Sequence, residues 1–273
     1  MPDLMIDTAE VRKTLTDFIH NEITRAGFSR AVLGISGGLD SALACYLTAE
    51  ALGAENVLAI RMPYRTSSRS SMDDAQLVIN ALGVKSLTIP ITDMVDALIN
   101  RFPNMDKRRR GNIMARQRMI ILFDQSEDFK GLVVGTGNKT EILLGYSTLY
   151  GDSACAFNPV GDLYKTQVRQ LASAMGIPQA LIDKAPSADL WEGQTDEGEL
   201  GFTYEEVDKL LELLVDQRCS PEECVAAGFA EDFVRTVLSR VRKNQFKRVL
   251  PPIARLSNRA IGHDFLYVRD WGA

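Results

Sequence analysis

The run Gly34-Ile35-Ser36-Gly37-Gly38-Leu39-Asp40-Ser41 puts two adjacent glycines, two hydroxyls and a carboxylate between an apolar run and a helical stretch. Adjacent glycines let the backbone turn tightly and bring its N–H groups close to a ligand. Ser36 and Ser41 add hydroxyl donors, and the helix that follows aims its partly positive amino end at the same place. Such a loop seats a phosphate chain. It is not a Walker-type loop, because no G-x-x-x-x-G-K-[ST] is present, and it is not the G-x-G-x-x-G dinucleotide fingerprint. Asp40 conflicts with phosphate unless it has another task. Two readings are open: it caps the helix, or it holds a Mg²⁺ ion that bridges to phosphate oxygens.

The elements that must position this loop follow from hydrophobic spacing. Val11, Leu15, Phe18, Ile19 and Ile23 recur at helical intervals and predict an amphipathic first helix. Ala31–Ile35 is a short apolar run without polar alternation, as in a strand covered on both faces. Comparable runs lie at Asn56–Met62, Val84–Ile91 and Leu132–Gly135, with helical stretches at Ser41–Leu52, Met72–Leu82 and Ile113–Phe123. Strand and helix in alternation predict an α/β fold, a doubly wound parallel sheet flanked by helices, with right-handed crossovers. Ligands of such sheets bind beyond the carboxyl ends of the strands, where the glycine loop lies.

The pattern changes after Gly151. Lys165–Met175 reads as a helix stopped by Gly176 and Pro178. Pro186–Gly201 is polar and contains no strand-like run. Thr203 with Glu206 forms a capping-box signature ahead of Val207, Leu210, Leu211, Leu214 and Val215, and a further helix falls near Asp232–Phe246. The expectation is one domain over 1–273, with a nucleotide-binding core at 28–185 and a loop and helical extension at 186–273.

Composition narrows the class. With 31 basic and 36 acidic residues the net charge is −5, which disfavours a nonspecific nucleic-acid binder. Lys107-Arg108-Arg109-Arg110 therefore reads as a solvated loop. No apolar stretch reaches the roughly 18 residues of a membrane span, and no secretory signal precedes Glu10. A cytoplasmic protein without membrane or nucleic-acid partners is expected. Cys45, Cys155, Cys219 and Cys224 form no C-x-x-C pair, and His20 and His263 lie too near opposite ends of the chain to suggest a catalytic pair.

The hexapeptide Ser36–Ser41 resembles the pyrophosphate loop of the ATP-pyrophosphatase superfamily. Gly111-Asn112-Ile113-Met114-Ala115-Arg116-Gln117-Arg118-Met119, Gly135-Thr136-Gly137-Asn138-Lys139-Thr140-Glu141, Gly145-Tyr146-Ser147-Thr148-Leu149-Tyr150-Gly151-Asp152 and Pro186-Ser187-Ala188-Asp189-Leu190-Trp191 resemble the NAD synthetase family, in this order. The resemblance runs from the first helix to about Arg248. It implies the adenine nucleotide alpha hydrolase-like fold and the last step of NAD biosynthesis. In that reaction ATP adenylates the carboxylate of deamido-NAD (nicotinic acid adenine dinucleotide), and ammonia displaces AMP to give NAD, AMP and pyrophosphate.

The resemblance also assigns residues. Gly34, Ile35, Ser36, Gly37, Gly38, Leu39, Asp40 and Ser41 hold ATP, joined by Arg61, Thr136, Lys165 and Ser187. Asp40 and Glu141 match the Mg²⁺ ligands, which decides the open question on Asp40. Read without the family, Glu141 is an acid in a helix's first turn, and Lys165 is a solvated helix-start lysine. Asp40 and Lys165 are the catalytic candidates, and Arg116 matches a contact to deamido-NAD. Leu149 and Ala156 replace a Lys and an Asp of some family members, and Tyr150 and Asp152 are offered as substitutes at the nicotinate end.

No residues remain for a glutaminase domain, so free ammonia is the expected nitrogen source. The family also implies a homodimer. The competing readings are another amidating or thiolating ATP-pyrophosphatase enzyme and a non-catalytic ATP-binding sensor.

Overall fold

The computed structural model describes residues 2–191 and 193–256. In chain order its elements are α1 (Thr8–Arg25), β1 (Ala31–Gly34), α2 (Leu39–Leu52), β2 (Val57–Arg61), α3 (Arg69–Leu82), β3 (Lys85–Thr88), α4 (Thr92–Ile99), α5 (Lys107–Phe129) and β4 (Leu132–Val133). Then follow α6 (Lys139–Leu144), α7 (Lys165–Ala174), α8 (Gln179–Ile182), α9 (Asp196–Leu200), α10 (Tyr204–Leu211), α11 (Pro221–Ala226) and α12 (Glu231–Lys243).

The strands form a parallel sheet in the order β3-β2-β1-β4. Alternate residues of β1 and β2 divide between its two faces, as a pleated strand requires. Ala31, Leu33, Val57 and Ala59 join an apolar cluster with residues of α1, α2, α3 and α7. Val32, Leu58 and Ile60 join a second cluster with α4 and α5. Leu33, Leu43, Leu47 and Leu171 are fully buried, each contributing about 2 kcal/mol relative to exposure. The doubly wound parallel fold is thus present.

A third apolar cluster belongs to the extension. Tyr204, Val207, Leu210 and Leu211 of α10 pack there with Cys224, Val234 and Val237, and also with Leu144 at the end of α6. Thr203 forms the capping box with Glu206 that the sequence predicts. The helix then widens into a π-turn over Glu212–Asp216.

Several expectations change. Lys107–Arg110 is no loop but the first turn of α5, capped by the Asp106 carboxylate, which accepts the Arg109 N–H at 2.8 Å. β3 is exposed along its length rather than covered, since it is the outer strand of the sheet. α4 follows the Val84–Ile91 run directly, in a stretch for which the sequence reading gives no element, and α9 interrupts the polar 186–201 stretch. His263 and the remainder of the extension after 256 lie outside the described residues.

Candidate nucleotide site

Strand order sets the location of the site. From β1 the chain crosses to β2 on one side, while β4 lies on the other side of β1. The connections after β1 and β4 therefore part at their carboxyl ends and leave a crevice between them. Residues 35–41 follow β1 and residues 134–141 follow β4, so the topology alone brings Asp40 and Glu141 to one place. A cleft of about 1030 Å³ opens there.

Gly37 has φ +78°, and a Cβ on it would lie 2.1 Å from the Ser71 carbonyl oxygen. The loop therefore presses on the start of α3 at a point where only glycine fits. Lys184 ties the same contact, donating to Gly37 O and Ser71 Oγ, both at 3.2 Å, and to Asp74 at 2.7 Å. Ser36 and Ser41 hydroxyls lie 3.1 Å apart and brace the turn. Gly38 is the N-cap of α2 and has no side chain to satisfy its first turn. The first turn of α2 lines the cleft, where its N–H groups form a seat for an anion.

Asn138 organises the acids. Its side-chain oxygen accepts the Glu141 N–H at 2.9 Å and Glu141 Oε2 accepts the Asn138 N–H at 3.2 Å, a complete capping box. Its side-chain nitrogen donates to Asp40 Oδ1 at 3.0 Å. The other oxygen of Asp40 pairs with the ammonium of Lys165, which is only 3% exposed and lies 5.5 Å from the centre of the Tyr204 ring. Lys165 is thus a buried ion-pair partner and not a solvated helix-start residue.

The electrostatics are unbalanced. Burial works against the Lys165 ammonium, but Asp40 and Glu141 outweigh it and hold its pKa above the ordinary value. Burial, and next the Asp40 charge, push the Glu141 carboxyl well above the usual carboxylate range, opposed by Lys165. Asp196 is raised too, first by burial, although Tyr146 and Tyr204 hydroxyls donate to it at 3.1 and 3.2 Å. Three carboxylates around one ammonium leave a deficit of positive charge that a hard divalent cation would fill. Among the described residues no three acids, histidines or cysteines form a metal cage of their own. The two carboxylates Asp40 and Glu141 beside a phosphate seat nevertheless suit Mg²⁺, which typically takes one or two carboxylates and completes its shell with phosphate and water.

Thr136 and Ser187 also line the cleft. The Ser187 hydroxyl donates to Gln194 O at 2.7 Å and accepts the Asp189 N–H at 3.1 Å, shaping the turn it stands on. Asp152 lines the cleft and accepts the Thr148 N–H at 2.7 Å. Arg61, Arg116 and Tyr150 are not in its lining. Arg61 donates to Gln76 at 2.5 Å, and its buried Nε has no partner among the described residues. Exposed Arg116 donates to Leu149 O at 3.2 and 3.3 Å, and Tyr150 is 55% exposed with φ +58°.

Arg118, Lys184, Asn138 and Asp196 line or brace the site without having been singled out from sequence. Arg118 has a recoverable signal: it shares a helical stripe with buried Met114 and Ile121, where a cation is out of place. It enters the cleft while its Nε donates to Met62 O at 3.1 Å.

A parallel sheet with a glycine loop, a helix amino end and two acids at its switch point defines an adenine nucleotide alpha hydrolase-like protein. The NAD synthase family model matches residues 11–251. A Trichlorobacter lovleyi protein named NH(3)-dependent NAD(+) synthetase is 58% identical over 272 residues, covering 100% of each chain. One from Chlorobaculum parvum with the same name is 52% identical, covering 98% of this chain and 97% of its own. Among solved structures, NH3-dependent NAD synthetase from Campylobacter jejuni, in complex with the nitrate ion, superposes with a TM-score of 0.79 at 34% identity. It covers 92% of this chain and 100% of its own. NMN synthetase from Francisella tularensis gives 0.82 at 29%, with the same coverage. The chain belongs to the NAD synthase family.

Proposed function

We propose that the chain catalyses ATP-dependent amidation of deamido-NAD by ammonia, giving NAD, AMP and pyrophosphate through an adenylated intermediate. The observation that carries this reading is the convergence of Asp40, Glu141 and Lys165 on the glycine loop at the sheet's switch point. Membership of the family supports the acceptor.

Residues 34–41 and the amino end of α2 hold the triphosphate, with Thr136 and Ser187 on the ATP side of the cleft. The deamido-NAD carboxylate attacks the α-phosphorus, and the bond to pyrophosphate breaks. Lys165 supplies positive charge to the phosphate oxygens as that bond breaks. Asp40 and Glu141 would hold Mg²⁺, which supplies charge neutralisation to ATP and the leaving group. Ammonia then attacks the acyl carbon, AMP leaves with the bonding electrons, and the surplus proton of the nitrogen passes to solvent. Neutral ammonia needs positioning more than activation. Family resemblance assigns Arg61 to ATP and Arg116 to the dinucleotide, with Tyr150 and Asp152 offered beside it, and of these four Asp152 alone lines the cleft of the single chain; an Asp152→Ala variant with unchanged affinity and turnover would remove Asp152 from that set.

A homodimer is part of the proposal. The packed pair α4 and α5 leaves Met94, Leu98, Ile120 and Phe123 exposed, which supports self-association. A single-chain mass in solution at assay concentration would contradict it.

The deciding experiment incubates the chain with ATP, Mg²⁺, ammonia and deamido-NAD, and follows NAD and pyrophosphate together. Equal yields of both are expected. Pyrophosphate without NAD would mean a different acceptor, and neither product would mean an ATP-binding sensor.

A further inference from the structure

The first N–H groups of a helix have no acceptor within it and must find one elsewhere. At α7, which begins with Lys165, the N-cap residue Tyr164 cannot serve, because its hydroxyl points away and donates to Asp216 at 2.8 Å. Two residues from outside α7 supply the acceptors. Thr140 Oγ1 accepts the Lys165 N–H at 3.1 Å, and Asp208 Oδ2 accepts the Thr166 N–H at 2.8 Å. The Thr140 hydroxyl in turn donates to Asp208 Oδ1 at 2.5 Å. Thr140 and Asp208 are completely buried.

One carboxylate on α10 thus uses both oxygens behind the reacting groups. Through Thr166 it holds the first turn of α7. Through Thr140 it holds the Lys165 backbone and the residue next to Glu141. Both partners are donors, so the position calls for two acceptors. A carboxylate provides them, whereas an amide would turn an NH₂ toward one of the donors. A buried charge is costly to retain for capping alone, since Ser, Thr or Asn caps a helix without it.

We infer that Asp208 is a positioning residue: acting through Thr140 and the start of α7, it fixes the reach of the Lys165 ammonium into the phosphate site. The inference rests on the amidation reading above for its rate measurement, though not for its binding measurement.

Three variants test it. Thr140→Val removes the hydroxyl and leaves Asp208 bonded to Thr166, Thr140→Ser keeps the hydroxyl, and Asp208→Asn reverses one of the two bonds. Thr140→Val and Asp208→Asn should each lower kcat for NAD formation about ten- to hundredfold, with the KM for deamido-NAD changed less than about twofold. Thr140→Ser should stay within about threefold of the parent chain. The Thr140→Val, Asp208→Asn double variant should be no slower than the worse single one, because both cut the same relay. Calorimetric affinity for Mg²⁺·ATP should weaken in Thr140→Val and return in Thr140→Ser. Should Asp208→Asn not fold, the two Thr140 variants decide alone. Full kcat and full ATP affinity in Thr140→Val would overturn the inference. So would rate losses that disappear once rates are normalised to the folded fraction. A parent chain that makes no NAD would defeat the amidation reading instead, and the ATP affinities would still judge Asp208.

Discussion

The Asn138 side chain donates to Asp40 Oδ1 at 3.0 Å while its oxygen receives the Glu141 N–H, so a single amide spaces the two acids of the phosphate site. The relationship is one of sign as well as distance. An amide offers a donor to Asp40 and an acceptor to α6, which no carboxylate can do. Asn138→Ala should cost about 1 kcal/mol of stability from the lost cap and raise the Mg²⁺ concentration needed for half-maximal rate. Asn138→Asp keeps the cap yet faces Asp40 with a like charge, and should lower activity more than Asn138→Ala does. Thermal melts with Mg²⁺ titrations of both variants check this ordering.

Glu141→Gln separates stability from function along the pH axis. The Glu141 pKa is raised in the fold, first by burial and then by Asp40. The folded chain therefore holds a proton that the unfolded chain has released above about pH 4.3. This group's contribution is at its most favourable below that point and is lost as pH rises through the raised value. Gln retains the capping box without the charge. Its thermal midpoint, relative to the parent, should climb with pH while Mg²⁺·ATP affinity falls. A pH-independent difference in midpoint would contradict the raised carboxyl.

Gly37→Ala should be severe for its size. It forces an alanine to φ +78° with its Cβ against the Ser71 carbonyl. Backbone strain of this kind costs about 1–3 kcal/mol. The loop or the start of α3 must then shift, and ATP should no longer raise the thermal midpoint.

Lys165→Met tests the buried cation. It removes the only ammonium bonded to Asp40 among the described residues and leaves the acids to repel one another. The kcat should fall about a hundredfold or more, with NAD and pyrophosphate declining together. Pyrophosphate release persisting at the parent rate would place Lys165 after adenylation.

Sheet and loop were legible for a physical reason. The continuous apolar runs of β1 and β2 are too short for buried helices and fit strands covered on both faces, and a Gly-Gly turn before a helix suits an anion seat. β3 deceived because an outer strand need not be buried, so Val84–Ile91 overstated its cover. The charged run at 107–110 reads as loop until Asp106 is recognised as a cap. Asp196 and Asp208 were hidden by their polarity. Asp208 stands in the stripe Tyr204, Val207, Asp208, Leu211, where a charge signals a buried bond that no pattern of apolar residues specifies. Long-range partners such as Thr140 and Asp208, far apart in the chain, become visible only once the extension is folded against α6.

Leu144 packs into the extension's apolar cluster, whereas Val134 and Leu163 belong to the sheet's. The short stretch between them straddles two greasy bodies and bears Glu141 at the seam. Leu144 and Glu141 share one short helix, so a substitution that disturbs the extension's packing at Leu144 acts on the backbone that carries the carboxylate.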